Sequence, residues 1–182
     1  MPFEFTPLAI PEVVAITPKV FADERGAFVE IFKATDFAAA GITAQWQQIN
    51  CSISQKHVLR GMHYQLQPHA QGKLITVLRG KIFDVVIDIR KSSPSFGKWA
   101  SIELDAKKRQ MLWVPVGFAH GFCALSDITE VMYACTSEYA PESERGIMWN
   151  DPALGITWPT DKPILSPKDT KYPPLAEADI NF

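Results

Sequence analysis

The sequence predicts an all-β fold, a sandwich or barrel of short strands forming one domain over residues 1–182. Three observations carry this. Segments of period-two or continuous apolar character recur along the chain, each bounded by Gly, Pro, Asp or Ser. Only one short stretch has helical character. In the last part of the chain recurrent proline forbids long ladders and predicts an extended tail.

AFVEIF, residues 27–32, is the first segment of strand character. ATDFAAAG, residues 34–41, is the helical stretch: Thr35 or Asp36 stands as N-cap, an alanine run follows, and Gly41 is placed to end it. VLRGMHYQ, residues 58–65, sets Arg60 and His63 into an otherwise apolar pattern. KLITVLRG and KIFDVVIDIR come next. In the second of these, alternation puts Phe83, Val85, Ile87 and Ile89 on one face and Asp84 and Asp88 on the other, so two aspartates need partners or water. WASIEL, QMLWVPVG, HGFCAL and EVMYACTSEY complete the strand-like set. From Trp149 onward, WNDPALGITWPTDKPILSPKDTKYPPLAEAD reads as a tail lying over the body, with no second core of its own and no repeat of fixed period.

A chain of 182 residues can bury roughly 70% of its unfolded surface, so a substantial core is available. Eighteen basic and twenty acidic residues give a net charge of −2, which offers no general pull on nucleic acid or an anionic membrane. An anionic ligand must then be held by a local cluster. The three cysteines form no C-x-x-C pair and fit buried thiols in a reducing compartment, the cytoplasm. MPFEFTPLAIPEV has two acids, three prolines and no basic run, unlike a signal peptide or a membrane span. The Asn50-Cys51-Ser52 sequon therefore carries no weight.

The strand-like segments hold a sparse polar set: Arg25, Glu30, Arg60, His63, Lys73, His120 and Tyr133. Each buried, unpartnered group of this kind costs roughly 1–3 kcal/mol, so the set needs a reason. The bland reasons are a core or rim histidine with one satisfied nitrogen, ion pairs of Arg25 and Arg60 with Asp23, Asp84 or Asp88, a solvated strand end for Lys73, and a core-capping Tyr133. A metal site is disfavoured by ligand chemistry, because the position two after His63 is Gln65, a poor ligand for zinc and similar ions. Proton transfer fits better. It needs a base, an acid on the other side of the substrate and a cation for the oxygen that gains charge, and the set has one of each. An aspartate of the tail, such as Asp169 in SPKDTKY, can fix the tautomer of a histidine base.

The runs KVFADERGAFVEIF, VLRGMHYQ, AQGKL, DVVIDIRKSSPSFGKW, QMLWVPVGFAHGF, YACTSEYAPESERGIMWNDP and LSPKD, in that order and spacing, resemble the dTDP-4-dehydrorhamnose 3,5-epimerase family over nearly the whole chain. The resemblance implies a cupin-type jelly roll that works as a homodimer, with residues 1–30 crossing to the partner and residues 150–182 packing over the body. It implies no metal or organic cofactor. The implied reaction is epimerisation of a dTDP-4-keto-6-deoxy sugar nucleotide at C3 and C5, next to the C4 ketone. His63 is then the base, Tyr133 the proton donor, Asp169 the partner of the base and Lys73 the group facing the charge that develops at C4.

Substrate contacts carried by the same likeness are Arg25 and Glu30, reaching the neighbouring subunit's site, with Gln48, Asn50, Arg60, Lys73, His120, Tyr139, Glu144 and Lys168. Ile49 stands where the family often has Asp, and Met62 where Leu is usual. The alternatives are an epimerase acting at C3 or C5 alone, a metal-dependent cupin enzyme, and a silent sugar-nucleotide-binding module. The last should have lost the base or the acid, and both are present.

Overall fold

The computed structural model describes residues 2–182. Its strands, in chain order, are β1 (Phe3–Pro7), β2 (Val14–Pro18), β3 (Val20–Asp23), β4 (Gly26–Val29), β5 (Gln48–Gln55), β6 (Leu59–Gln65), β7 (Lys73–Arg79), β8 (Lys81–Asp88), β9 (Trp99–Asp105), β10 (Met111–Val114), β11 (Phe118–Ala124), β12 (Ile128–Cys135) and β13 (Glu144–Gly146). A six-stranded sheet runs β1-β2-β10-β7-β12-β5, a five-stranded sheet runs β13-β6-β11-β8-β9, and β3 and β4 form a separate ribbon. All these ladders are antiparallel. From β5 onward the chain passes between the two sheets at nearly every connection, the weave of a jelly roll.

The inner faces of the two sheets meet in an apolar core. Ile75 and Val77 of β7, Leu112 of β10 and Val131 of β12 pack against Ile82 and Val86 of β8, Leu104 of β9 and Phe122 of β11. The aspartate face of β8 is thus the interior face. Its other face is also buried, because Leu154, Ile156, Trp158, Leu175, Ile180 and Phe182 of the tail pack on Val85, Ile87 and Ile89. The tail residues and this face build a second apolar layer that proline-rich composition alone did not suggest. Both strand aspartates have partners. Asp84 meets His120, and Asp88 accepts from Arg90, Ser93 and Ser95.

Three local expectations change. AFVEIF forms only the short β4 of the ribbon, which leaves Phe21 and Phe28 47% and 67% exposed. The helix α1 (Ala34–Ala39) is capped by neither Thr35 nor Asp36: Lys33 holds the N-cap position, without a side-chain cap, and Asp36 lies in the first turn, 3.4 Å from the Lys33 ammonium. Gly41 does follow the helix, at φ +83. The third change is that β1, β2 and β5 are strands despite turn-like or polar sequence. β5 is an edge strand of alternating exposure, whose apolar Ile49 and Ile53 face outward.

Candidate active site

The site starts from a fault in a ladder. Strict alternation would put Arg60 and His63, three residues apart, on opposite faces of β6. On β11, His120 pairs with His63 and Phe122 with Arg60, so three steps on one strand match two on the other and the register shifts between them. This bulge turns Arg60 and His63 toward the same space as His120 and Phe122. Two glycines allow it. A Cβ on Gly61, whose φ is +137, would lie 2.5 Å from Gly121 Cα, and one on Gly121 would lie 2.8 Å from the Arg60 carbonyl oxygen.

Lys73 and Tyr133 come from the facing sheet. Tyr133 pairs with Ile75 on β7 and Asn50 on β5, and Lys73 pairs with Cys135 on β12, so Lys73, Tyr133, Cys135, Gln48 and Asn50 share the inner face. Their strands are apolar inward farther along, at Val77 and Val131. The sandwich is thus a packed core at one end and polar at the other. Two cavities of about 240 and 390 Å³ occupy the polar end and share His63, Lys73, Tyr133, Tyr139 and Glu144 as walls. The first adds the amides of Gln48, Asn50, Gln65 and Gln71. The second adds Arg60, His120, Lys168 and Asp169.

The tail supplies the partner of His63, 106 residues along the chain: His63 Nε2 lies 2.6 Å from Asp169 Oδ1. Ser166 donates to the other carboxylate oxygen at 2.8 Å, and the Asp169 amide donates back to Ser166 Oγ. Asp169 is only 3% exposed. Burial opposes its charge, yet the His63 and Ser166 contacts hold its carboxyl below the usual carboxylate range. The ring of Tyr172 meets the imidazole edge-on, with centroids 5.6 Å apart. It lies flat on Gly146, the cross-strand neighbour of His63, where a Cβ would come within 2.5 Å of the ring.

A second pair lies behind the first, with His120 Nε2 at 2.9 and 3.0 Å from the two Asp84 oxygens. At the mouth, Glu144 accepts from Lys168 at 2.5 Å and from the Tyr139 hydroxyl at 2.7 Å. Those bonds keep its carboxyl low although burial opposes them. Arg60 donates to Ser54 Oγ and the Ile53 carbonyl. Lys73 is different. Burial lowers its ammonium below the ordinary lysine range; Cys135, Glu144 and Asp84 counter this through charge, with no hydrogen bond contributing. Tyr133 is pushed up by burial, then by Cys135, Cys51 and Glu144, with Arg60 opposing, so its phenol stays protonated.

Of the residues picked from sequence, His63, Tyr133, Lys73, Asp169, Gln48, Asn50, Arg60, His120, Tyr139, Glu144 and Lys168 all line these cavities. Arg25 and Glu30 line neither. Arg25 lies on the exposed ribbon and pairs with Asp23 at 2.6 Å, the ion pair that was its bland reading. Sequence reasoning missed Ser166, Tyr172 and the role of Gln65; only the S-P-K-D spacing hinted at a serine braced on Asp169. Among the described residues, no group of three or more His, Cys, Asp or Glu side chains is placed to hold one metal ion.

The family model described as dTDP-4-dehydrorhamnose 3,5-epimerase matches residues 7–177. The Shigella flexneri protein of that description is 50% identical over 93% of this chain and 94% of its own length. A Sulfolobus tokodaii crystal structure of that description superposes with a TM-score of 0.92 at 46% identity, covering 99% of both chains. A crystal structure of the Legionella pneumophila dTDP-6-deoxy-D-glucose-3,5-epimerase in complex with dTDP-4-keto-L-rhamnose superposes with a TM-score of 0.93 at 45% identity, covering 97% of this chain and 95% of the other.

Proposed function

The chain belongs to the dTDP-4-dehydrorhamnose 3,5-epimerase family, and on that premise we propose that it epimerises dTDP-4-dehydro-6-deoxy-D-glucose at C3 and C5, yielding dTDP-4-dehydro-L-rhamnose. The observation that carries the mechanism is that His63 and Tyr133 sit on opposite sheets and border the same cavities, with Lys73 as a third wall. The sugar held by the Legionella relative is the 4-keto-L-rhamnose nucleotide, the kind of ligand this layout suits.

Asp169 accepts a hydrogen bond from the Nε2–H of His63, which leaves the lone pair on Nδ1 to act as the base. It takes the proton from a carbon next to the C4 ketone, and the electron pair of the C–H bond moves onto the ketone oxygen as an enolate. The Lys73 ammonium, which makes no hydrogen bond among the described residues, stabilises that oxygen. Tyr133 then delivers its phenolic proton to the same carbon from the opposite sheet, which inverts the centre. Water re-protonates Tyr133 and takes the proton from His63, whose side chain is 26% exposed. The cycle repeats at the other carbon. Arg60 and Lys168 present cationic donors for the diphosphate, and the half-exposed Tyr139 ring offers a stacking surface for the base.

The reading extends to a homodimer. Ile49 and Ile53 stand 64% and 68% exposed on edge strand β5, with Phe21 and Phe28 exposed on the ribbon, an apolar surface suited to a second copy. Such a partner gives Arg25 and Glu30 a role they lack in their own chain, as contacts in its site. Sedimentation equilibrium should report twice the 20.3 kDa of one chain, and a single-chain mass would reject the dimer. Cys123 and Cys135 are buried free thiols, whereas Cys51, expected buried, is exposed on edge strand β5; free thiols suit the cytoplasm. Among the described residues no helix is long and apolar enough to cross a membrane.

The test of the activity is incubation with dTDP-4-dehydro-6-deoxyglucose in heavy water, with NMR at C3 and C5. Deuterium at both carbons with inversion is expected. Deuterium at one carbon would reduce the activity to a single epimerisation, and none would overturn the reading.

A further inference from the structure

The glutamine of VLRGMHYQ is absorbed by none of the steps above, although it lies two residues from the base and lines the first cavity. Gln65 is 4% exposed, and its amide is already spent on main chain. Its Nε2 donates to the carbonyls of His69 at 2.6 Å and Glu138 at 3.2 Å, and its Oε1 accepts from the Ala140 amide at 2.8 Å. Both amide protons are used, so it has no donor left for a ligand.

Glu138 and Ala140 flank Tyr139, and the Tyr139 amide donates to Gln48 Oε1 at 2.8 Å. Three successive residues of the β12–β13 connection are therefore pinned by two glutamine side chains. Gln48 comes from the six-stranded sheet and Gln65 from the five-stranded sheet. The Tyr139 ring itself stands 50% exposed and touches the framework through its hydroxyl on Glu144. A ring that is loosely held itself, on backbone that is tightly held, is the arrangement expected of a preorganised platform.

We infer that Gln65 is a positioning residue, which clamps the Glu138–Ala140 backbone across the cavity mouth so that Tyr139 is presented to the nucleoside end of the substrate. The inference rests on the functional reading above. The clamp acts on binding and leaves the chemistry at His63, Lys73 and Tyr133 untouched.

Gln65→Met keeps volume and removes the three hydrogen bonds. Its Kd for dTDP and its KM for the sugar nucleotide are expected to rise about tenfold, the worth of one or two hydrogen bonds, with kcat within about twofold of wild type. In a Tyr139→Ala background the same change should add less than about twofold, because the platform it positions is gone. Amide exchange on the wild-type chain tests the clamp without any variant: the Tyr139 and Ala140 amides should exchange far more slowly than that of exposed Glu142. Unprotected amides at those two positions, additive losses in the double variant, or a fall in kcat at unchanged Kd would each overturn the inference. A wild-type chain that neither binds dTDP nor turns over would overturn the functional reading, and the inference with it.

Discussion

In the proposed mechanism, replacing Tyr133 by Phe separates the two halves of an epimerisation, because it removes one hydroxyl and leaves the ring. The ring packs against the sandwich core, and among the described residues the hydroxyl makes no hydrogen bond that folding depends on. Stability should therefore change by less than about 0.5 kcal/mol. What is lost is a positioned acid, worth roughly 10²–10⁴ in rate. Water can enter the open cavity in place of the hydroxyl, as a weaker and worse-placed donor, so the expected loss of inversion is about 10²–10³. His63, Asp169 and Lys73 remain, so protons still leave the carbon, and the enolate recaptures them from the His63 side with retention. In heavy water, NMR should show deuterium entering C3 and C5 within about tenfold of the wild-type rate while rhamno-configured product nearly disappears. His63→Ala should lose exchange and inversion together, by at least ~10²-fold. A Tyr133→Phe enzyme that inverts at more than about a tenth of the wild-type rate would refute the assignment of the acid. Exchange and inversion falling in step, at unchanged dTDP affinity, would refute the division of labour between the two sheets.

Lys73→Met should lower exchange and inversion alike by ~10²–10³ in kcat, with little change in dTDP binding, because the oxyanion loses its donor. In the wild type, activity should decline as pH rises toward the ordinary lysine value of 10.5, since burial lowers the folded ammonium and the neutral amine cannot serve; Lys73→Arg should move that decline to higher pH. Asp169→Asn should cost at least ~10²-fold in kcat/KM by releasing the tautomer of His63. Its acid unfolding curve should also be flatter than that of wild type, because the carboxylate stabilises the fold above the ordinary value of 3.8 and loses that contribution as pH falls through its lower folded value. Asp88 is the stronger case for stability. Burial opposes its charge, but Arg90, Ser93 and Ser95 hold it at about 2 against an ordinary 3.8. Asp88→Asn should then cost about 2 kcal/mol in urea unfolding at pH 7, and the gap from wild type should close between pH 3.8 and 2.

Much of this was legible beforehand, for identifiable reasons. Strands such as KIFDVVIDI announce themselves by alternation, and the polar side chains set into them mark a site because burial makes each one costly. The aspartate face of that strand was legible as a need for partners; that it is the interior face was not, because the tail hides the other side equally well. Arg60 and His63 could not be placed on one face by counting, since the bulge that joins them shows in sequence only as Gly61 and the distant Gly121. Asp169 was one of several tail aspartates that chemistry allowed, and motif likeness alone singled it out; its 106-residue separation from His63 is beyond any local pattern. Arg25 shows the opposite limit. Its motif assigns it to a site, and its own chain gives it only Asp23.

Two stacked sheets suit this chemistry for a geometric reason. Inversion at carbon needs donor and acceptor on opposite faces of one ring, and a sandwich holds two facing surfaces at a nearly fixed spacing of about 10 Å. Filled with Ile75, Val77, Val86 and Val131, that space is a core. Directly across from Ile75 and Val86, Tyr133 and His120 replace aliphatics on the neighbouring strands, and Lys73 and His63 carry the polar wall on along each sheet. The packed end then keeps the two walls apart while the open end leaves room for a 4-keto sugar between them. In the proposed mechanism the base can therefore sit on a bulged strand braced by a tail carboxylate, because His63 and Tyr133 are held by the two sheets and not by the loop that carries Asp169.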